Sequence, residues 1–168
     1  IKNTKIWAQR LSYVGELGWE LYIPVHESKK IYSVIVEIGK KYNLCLAGVH
    51  AMDILRMEKG YLHWGHDISP EEDQYEAGLG FAISYKKNID FIGKNALLKK
   101  KGSKPKKKLI FLSLKNSKPG FPLLLHDEPI YSDGKIIGRT TSGNYSFNYK
   151  KNIALGFVNA EINLSNKI

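Results

Sequence analysis

The sequence holds one cysteine, Cys45, in 168 residues, so no intrachain disulfide can form. That absence fits a reducing compartment. Set between Leu44 and Leu46, Cys45 reads as a small buried hydrophobe. Arginine is almost as scarce. Only Arg10, Arg56 and Arg139 stand among 26 basic residues. A protein that reads nucleic acid or phosphate usually recruits arginine for its two-pronged fork, so the excess of lysine is weak support for that class. The chain has no secretory signal and no apolar run of about 18 residues, which leaves no segment of membrane-spanning length and makes the cytoplasm the expected location. Three catalytic signatures are missing too. Gly78-Leu79-Gly80 lacks a third glycine and leads into a predicted strand instead of a helix, so it is no dinucleotide fingerprint. No serine sits in a strand-to-helix elbow, and no phosphate loop occurs.

What is present is an ordinary globular composition, 43% hydrophobic and 11% aromatic, with a formal charge of +10. The length suits one domain or two small ones. The charge favours anionic ligands in a general way. The chain opens on Ile1 in strand-like sequence and closes within an alternating run, Ala160–Ile168, so both ends read as cut from a longer polypeptide. Lys5–Val14 and Gly18–Pro24 predict two strands joined through Gly15 and Gly18 as a hairpin. In the second strand, alternation puts Trp19, Leu21 and Ile23 on one face and Glu20 and Tyr22 on the other. The apolar set predicts the core face. Glu20 then points to solvent or into a cleft, and the pattern leaves both open. His26–Tyr42 predicts a helix with Ile31, Val34, Ile35 and Ile38 in one stripe. Gly48–Lys59 predicts a second helix, stopped by Gly60, with Val49, Met52, Leu55 and Met57 on its apolar side and Arg56 within reach of Asp53. Ala77–Tyr85 reads as a glycine-containing strand, Gly93–Lys101 as a short helix and Lys99–Lys108 as an exposed lysine-rich linker. Beyond it, Leu109–Leu114, a hairpin over Glu128–Thr141 turning at Asp133-Gly134, and Ile153–Val158 read as strands. Residues 1–98 are therefore expected to be α+β and 107–168 a small all-β domain lacking its last strands.

Two clusters invite a chemical reading. His63, His66 and Asp67 have metal-ligand chemistry, with His50 as the one further ligand. Their spacing matches no described site, so a structural turn packed on its Trp64-Gly65 centre is the expectation, with no metal. The lysine run lacks interleaved aromatics for base stacking, so a solvated linker is expected in place of a nucleic-acid surface. Arg56 and Glu58 are expected to hold the second helix by paired charge.

Three tracts taken together are specific: Tyr13–Pro24 (YVGELGWELYIP), Ile54–Ile68 (ILRMEKGYLHWGHDI) and Tyr75–Ile83 (YEAGLGFAI). In order and spacing they resemble the folate-binding aminomethyltransferase family, which includes the glycine cleavage T-protein. The wording is most similar to the folate domain of sarcosine and dimethylglycine dehydrogenases. Asp90–Lys94, Glu128–Tyr131, Thr141–Tyr145 and Ile153–Val158 agree. The resemblance implies a C-terminal fragment: part of an α/β lobe with an antiparallel sheet, then a C-terminal β-barrel domain. It implies an enzyme that loads a one-carbon unit onto tetrahydrofolate, the unit coming from an amine-derived donor. In the dehydrogenase-like members a flavin (FAD) domain generates that donor. By position, Glu20 matches a pterin-binding carboxylate, Tyr13 a tyrosine lining the folate site and Tyr61 another lining aromatic.

The pterin edge offers two donors side by side, which a carboxylate accepts together. A tyrosine ring lies against the flat heterocycle. Two departures matter. Met52 stands where the glycine-cleavage branch places an arginine, which argues against glycine-cleavage chemistry. The family's proposed catalytic aspartate falls upstream of residue 1, so no catalytic residue is expected in this chain. The alternatives are a non-catalytic folate-binding or regulatory module of the same fold and, last, a basic nucleic-acid-binding domain. Neither membrane nor nucleic acid is expected as a partner.

Overall fold

The structure, a computed structural model, describes residues 1–163. The chain divides into two compact units, one spanning Ile1–Tyr61 and the other beginning at Leu62. Among the described residues no helix is long and apolar enough to cross a membrane.

The first unit is a small hairpin followed by two helices. β1 (Trp7–Gln9) pairs antiparallel with β2 (Glu20–Tyr22), with Trp7 opposite Tyr22 and Gln9 opposite Glu20. The predicted hairpin forms, but each strand keeps only three residues of its expected length. Its apolar face is a correction. Trp19 is 61% exposed and Leu21 39%, so Trp19, Leu21 and Ile23 do not form a core face. A two-stranded sheet buries an apolar face only against a second layer, and none covers it among the described residues. α1 (Ser28–Gly39) follows a single 3-10 turn, and Ile31 is its one fully buried side chain. α2 (Val49–Glu58) buries its C-terminal end, Arg56, Met57 and Glu58, and leaves Val49 and Met52 exposed. Cys45 is exposed, against expectation. Its neighbours Leu44 and Leu46 are exposed as well, so apolar sequence alone did not bury this link.

The second unit is built on a four-stranded antiparallel sheet in the order β3-β6-β5-β4. These strands are β3 (Lys107–Ser113), β4 (Pro129–Ser132), β5 (Lys135–Ser146) and β6 (Lys151–Asn159). The β4–β5 hairpin turns at Asp133 and Gly134 with φ of 49° and 73°, the mirror-image turn that suits strand twist. β6 is central and buried on both faces from Asn152 to Val158. That is why it reads as a continuous apolar run instead of alternating. Ile110, Ile130 and Val158 form the core, with Leu112 and Ile137 packed against it.

Two expectations fail here. Ala77–Tyr85 is not a strand. Ala77 N–H donates to the Asp73 carbonyl, Leu79 N–H to Gln74 and Ala82 N–H to Leu79. These local turns consume the groups a strand needs for pairing. The lysine-rich stretch is not all linker. α3 (Lys94–Lys100) takes its start and β3 takes Lys107 and Lys108. The last part of the run Ala160–Ile168 lies outside the described residues.

Lys107 grips Glu72 at 2.5 Å, and the Glu72 side chain is only 9% exposed. Burial pushes its carboxyl up, but the bonds from Lys107 and Ser69 outweigh burial and hold it below the usual carboxylate range. A carboxyl whose folded pKa is depressed stabilises the fold at neutral pH. That contribution is lost as pH falls through its folded value. Glu72→Gln should therefore melt lower than wild type at pH 7, with the gap closing below about pH 4. A gap in melting temperature that stays constant with pH would contradict this.

Candidate functional site

The three residues singled out by resemblance line one groove in the first unit. Leu11, Ser12, Tyr13, Glu20 and Tyr61 enclose about 300 Å³. Sequence distance separates them, and local structure brings them together in steps that can be traced.

Tyr61 is placed by the end of α2. Gly60 adopts φ +70°, a region that suits glycine. Its N–H donates to the Met57 carbonyl at 2.9 Å, and Tyr61 N–H donates to the Arg56 carbonyl at 2.9 Å. This pair of bonds is the Schellman helix stop. Arg56, 1% exposed, fixes the same corner from its side chain. Its Nε donates to Asp53 Oδ1 at 2.8 Å and its Nη1 to the Tyr61 carbonyl at 2.9 Å. The expected Arg56–Asp53 pair thus forms, and Arg56 also holds the backbone of a groove residue.

Tyr13 is placed by the hairpin loop. Gly15 has φ +71°, and a Cβ there would lie 2.5 Å from Lys59 Cγ. The absent side chain lets the loop lie against the C-terminal end of α2. Glu16 ties the loop there with a 2.8 Å ion pair to Lys59. The Tyr13 and Tyr61 rings end up nearly parallel, 15° apart in plane, with centroids 6.3 Å apart. A flat ring between two others needs about 7 Å, twice the carbon contact distance. A small parting of the two tyrosines would admit one, and either open face would stack one directly.

Glu20 is half-buried and sits on the same strand face as Tyr22. Tyr22 donates its hydroxyl to Glu20 Oε2 at 3.0 Å. That bond, followed by the nearby negative charge, raises the Tyr22 pKa. The Tyr22 hydroxyl bonds Oε2 alone and leaves Oε1 to other donors. The groove therefore offers a carboxylate acceptor beside two parallel aromatic rings. This can hold a flat, edge-donating heterocycle.

The cluster of His63, His66 and Asp67 has a different use. Asp67 is 1% exposed. It accepts the His63 N–H at 2.8 Å through Oδ2, and the Thr141 and Ser142 hydroxyls at 2.6 and 2.7 Å through Oδ1. Consecutive strand residues normally point to opposite faces. A bulge between Thr140 and Ser142 breaks that alternation and lets both hydroxyls reach one oxygen. Asp67 is thus a structural anchor. Trp64 does not pack a core, being 66% exposed. Among the described residues no group of three or more His, Cys, Asp or Glu is placed so that it could hold a metal ion. Sequence reasoning missed the Asp67 anchor because nothing in the local pattern forecasts a bulge that pairs Thr141 with Ser142.

Comparison with known proteins gives this groove a context. Residues 1–87 match the family model of the GCVT N-terminal domain, and residues 107–167 that of the glycine cleavage T-protein C-terminal barrel domain. The chain is 40% identical over 159 residues to 4-methylaminobutanoate oxidase (formaldehyde-forming) of Paenarthrobacter nicotinovorans, covering 95% of this chain and 19% of that protein. It is 36% identical over 151 residues to mitochondrial sarcosine dehydrogenase of Mus musculus, covering 90% and 16% respectively. The mitochondrial pyruvate dehydrogenase phosphatase regulatory subunit of Mus musculus is 35% identical over 149 residues, covering 88% and 17%. The chain thus spans less than a fifth of the length of these relatives. The crystal structure of glycine cleavage system aminomethyltransferase T from Bartonella henselae superposes with a TM-score of 0.76 at 24% identity, covering 90% of this chain and 41% of that one. That likeness establishes the fold. With a family model matched over more than half its residues, the chain belongs to the glycine cleavage T-protein (GCVT) family.

Proposed function

We propose that the protein carrying this chain transfers a one-carbon unit from an amine-derived donor onto tetrahydrofolate, and that this chain supplies one wall of the folate site. The observation that carries the reading is the groove itself. Glu20, Tyr13 and Tyr61 line one space, with the two rings nearly parallel. The donor set fits the ligand. Glu20 accepts the paired donors of the pterin edge, and the tyrosines bind a flat ring. Tetrahydrofolate supplies the nitrogen nucleophiles that accept the carbon. The residues of this chain bind and orient it, while Arg56 and Gly60 keep Tyr61 in register.

The named relatives favour an amine-oxidising parent of the sarcosine or dimethylglycine dehydrogenase type, and Met52 in place of arginine points the same way. FAD would then sit on a separate domain, for this chain carries no dinucleotide fingerprint. The functional division we assign is 1–98 for the folate-binding part and 107–168 for the barrel part. The gap between the two matched models, after residue 87 and before residue 107, supports it. We propose a cytoplasmic setting, with which the single Cys45 accords.

Tyr61→Ala in the full-length protein should weaken binding of the stable analogue 5-formyltetrahydrofolate by about three- to tenfold, the loss of one stacked ring. Tyr61→Phe should bind like wild type. Calorimetric titration checks both, and undiminished affinity in Tyr61→Ala would remove Tyr61 from the site.

A second reading has its own support. One relative is named as a regulatory subunit. On that reading the groove binds folate without turnover. Full-length protein that binds the analogue yet forms no methylenetetrahydrofolate with any secondary or tertiary N-methyl amine tried would favour it.

A further inference from the structure

Resting on the folate reading of the groove, we propose that Tyr22 is a positioning residue for that site. It holds the Glu20 carboxylate at the angle that takes both donors of a pterin edge, and Trp7 holds Tyr22 in turn. The alternation of β2 puts Glu20 and Tyr22 on one strand face. Pairing with β1 then sets Trp7 directly opposite Tyr22. Their rings lie 4.9 Å apart between centroids, tilted by 31°. A cross-strand aromatic pair of this kind steadies both rings. From that ring the Tyr22 hydroxyl donates to Glu20 Oε2 at 3.0 Å. The contacts thus run from Trp7 to Tyr22 to Glu20 and end in the groove that Glu20 shares with Tyr13 and Tyr61.

Three features favour positioning over a chance surface contact. First, a carboxylate turns easily about its last bond, a torsion with only a broad twofold preference. Two-pronged recognition needs both oxygens in the plane of the ligand's donors. A bond to one oxygen removes that freedom before the ligand arrives, so less entropy is lost on binding. Second, the bond does not use up the acceptor. A carboxylate oxygen has two lone pairs, so Oε2 can serve Tyr22 and a ligand N–H together, while Oε1 takes the second donor. The same bond, with the charge of Glu20, raises the Tyr22 pKa, so the hydroxyl keeps its proton at neutral pH and remains a donor. Third, stability does not account for the arrangement. Trp7 is 61% exposed and Tyr22 47%, and water competes for both partners of an exposed hydrogen bond. Such a bond contributes little to folding and still fixes an orientation.

The test is calorimetric titration of 5-formyltetrahydrofolate into the full-length protein, with a thermal melt of each variant. Tyr22→Phe keeps the ring and removes only the hydroxyl. It should weaken binding by about three- to tenfold and move the melting temperature by less than about 2 °C. Trp7→Ala should weaken binding by about two- to fivefold, and Trp7→Phe, which keeps a ring against Tyr22, should bind like wild type. In the double variant, Trp7→Ala should add nothing to Tyr22→Phe, because it acts through the hydroxyl already removed. A merely structural role would instead add the two losses and lower the melting temperature along with affinity, and that result overturns the proposal. Tyr22→Phe that binds as tightly as wild type, or tighter, also overturns it and leaves the folate reading standing. Wild type without affinity for the analogue overturns the folate reading and the proposal together.

Discussion

Glu20→Gln should weaken folate binding by about a hundredfold, close to 3 kcal/mol. On the proposed reading the carboxylate accepts two donors of the pterin edge at once. The amide keeps one acceptor and turns its own NH₂ against the second, so a donor loses its partner as it is buried by the ligand. Charge assistance is lost in the same change. The substitution should leave folding intact. Glu20 is half-buried on a short strand, and it accepts a hydrogen bond from the exposed Tyr22 hydroxyl. Binding and stability therefore separate in this variant. The measurement is calorimetric titration of 5-formyltetrahydrofolate into the full-length protein, next to a thermal melt. A melt that falls together with affinity would assign Glu20 a structural role instead.

Asp67→Ala should have the largest effect on stability, about 3 kcal/mol or more. Asp67 is 1% exposed and satisfies three donors from the loop and from β5. Removing it leaves the His63 N–H and two hydroxyls without their acceptor and opens a cavity. For a chain of this length such a loss lowers the melting temperature by about 6–12 °C. Asp67→Asn should cost less. Its remaining oxygen can keep both hydroxyls, and only the His63 N–H meets a donor. A shift within about 0.5 kcal/mol for Asp67→Ala would show that the three bonds contribute nothing net. The same variant should also disturb the histidine cluster, because the turn carrying His63 and His66 depends on it.

How far the sequence disclosed this can be followed residue by residue. The helix stop at Gly60 was readable because a left-handed residue after an apolar stripe has few alternatives. The Asp133-Gly134 turn was readable for the same reason. β6 was readable as a strand from its unbroken apolar run, although the run alone could not say that both faces are covered. The groove was not derivable from pattern. Alternation showed only that Glu20 faces away from Trp19, Leu21 and Ile23, and left open what it faces. Resemblance nominated Tyr13 and Tyr61. Their closeness rests on Gly15 lying against Lys59 and on the Arg56 bond to the Tyr61 carbonyl. Neither is a local signal. The misread stretches share one cause. Ala77–Tyr85 and Cys45 were assigned from intrinsic apolar character, yet strand formation and burial require a partner surface. Hydrogen bonds within the turns claimed the first, and exposed neighbours left the second uncovered.

The central claim is that Glu20, Tyr13 and Tyr61 form a wall of a folate site. It is tested most directly by a crystal structure of the full-length protein with 5-formyltetrahydrofolate. The predicted result is the pterin edge within hydrogen-bond distance of both Glu20 carboxylate oxygens, with a ligand ring stacked on Tyr13 or Tyr61. A folate bound elsewhere, with the groove of Leu11, Ser12, Tyr13, Glu20 and Tyr61 filled only by water, would contradict it.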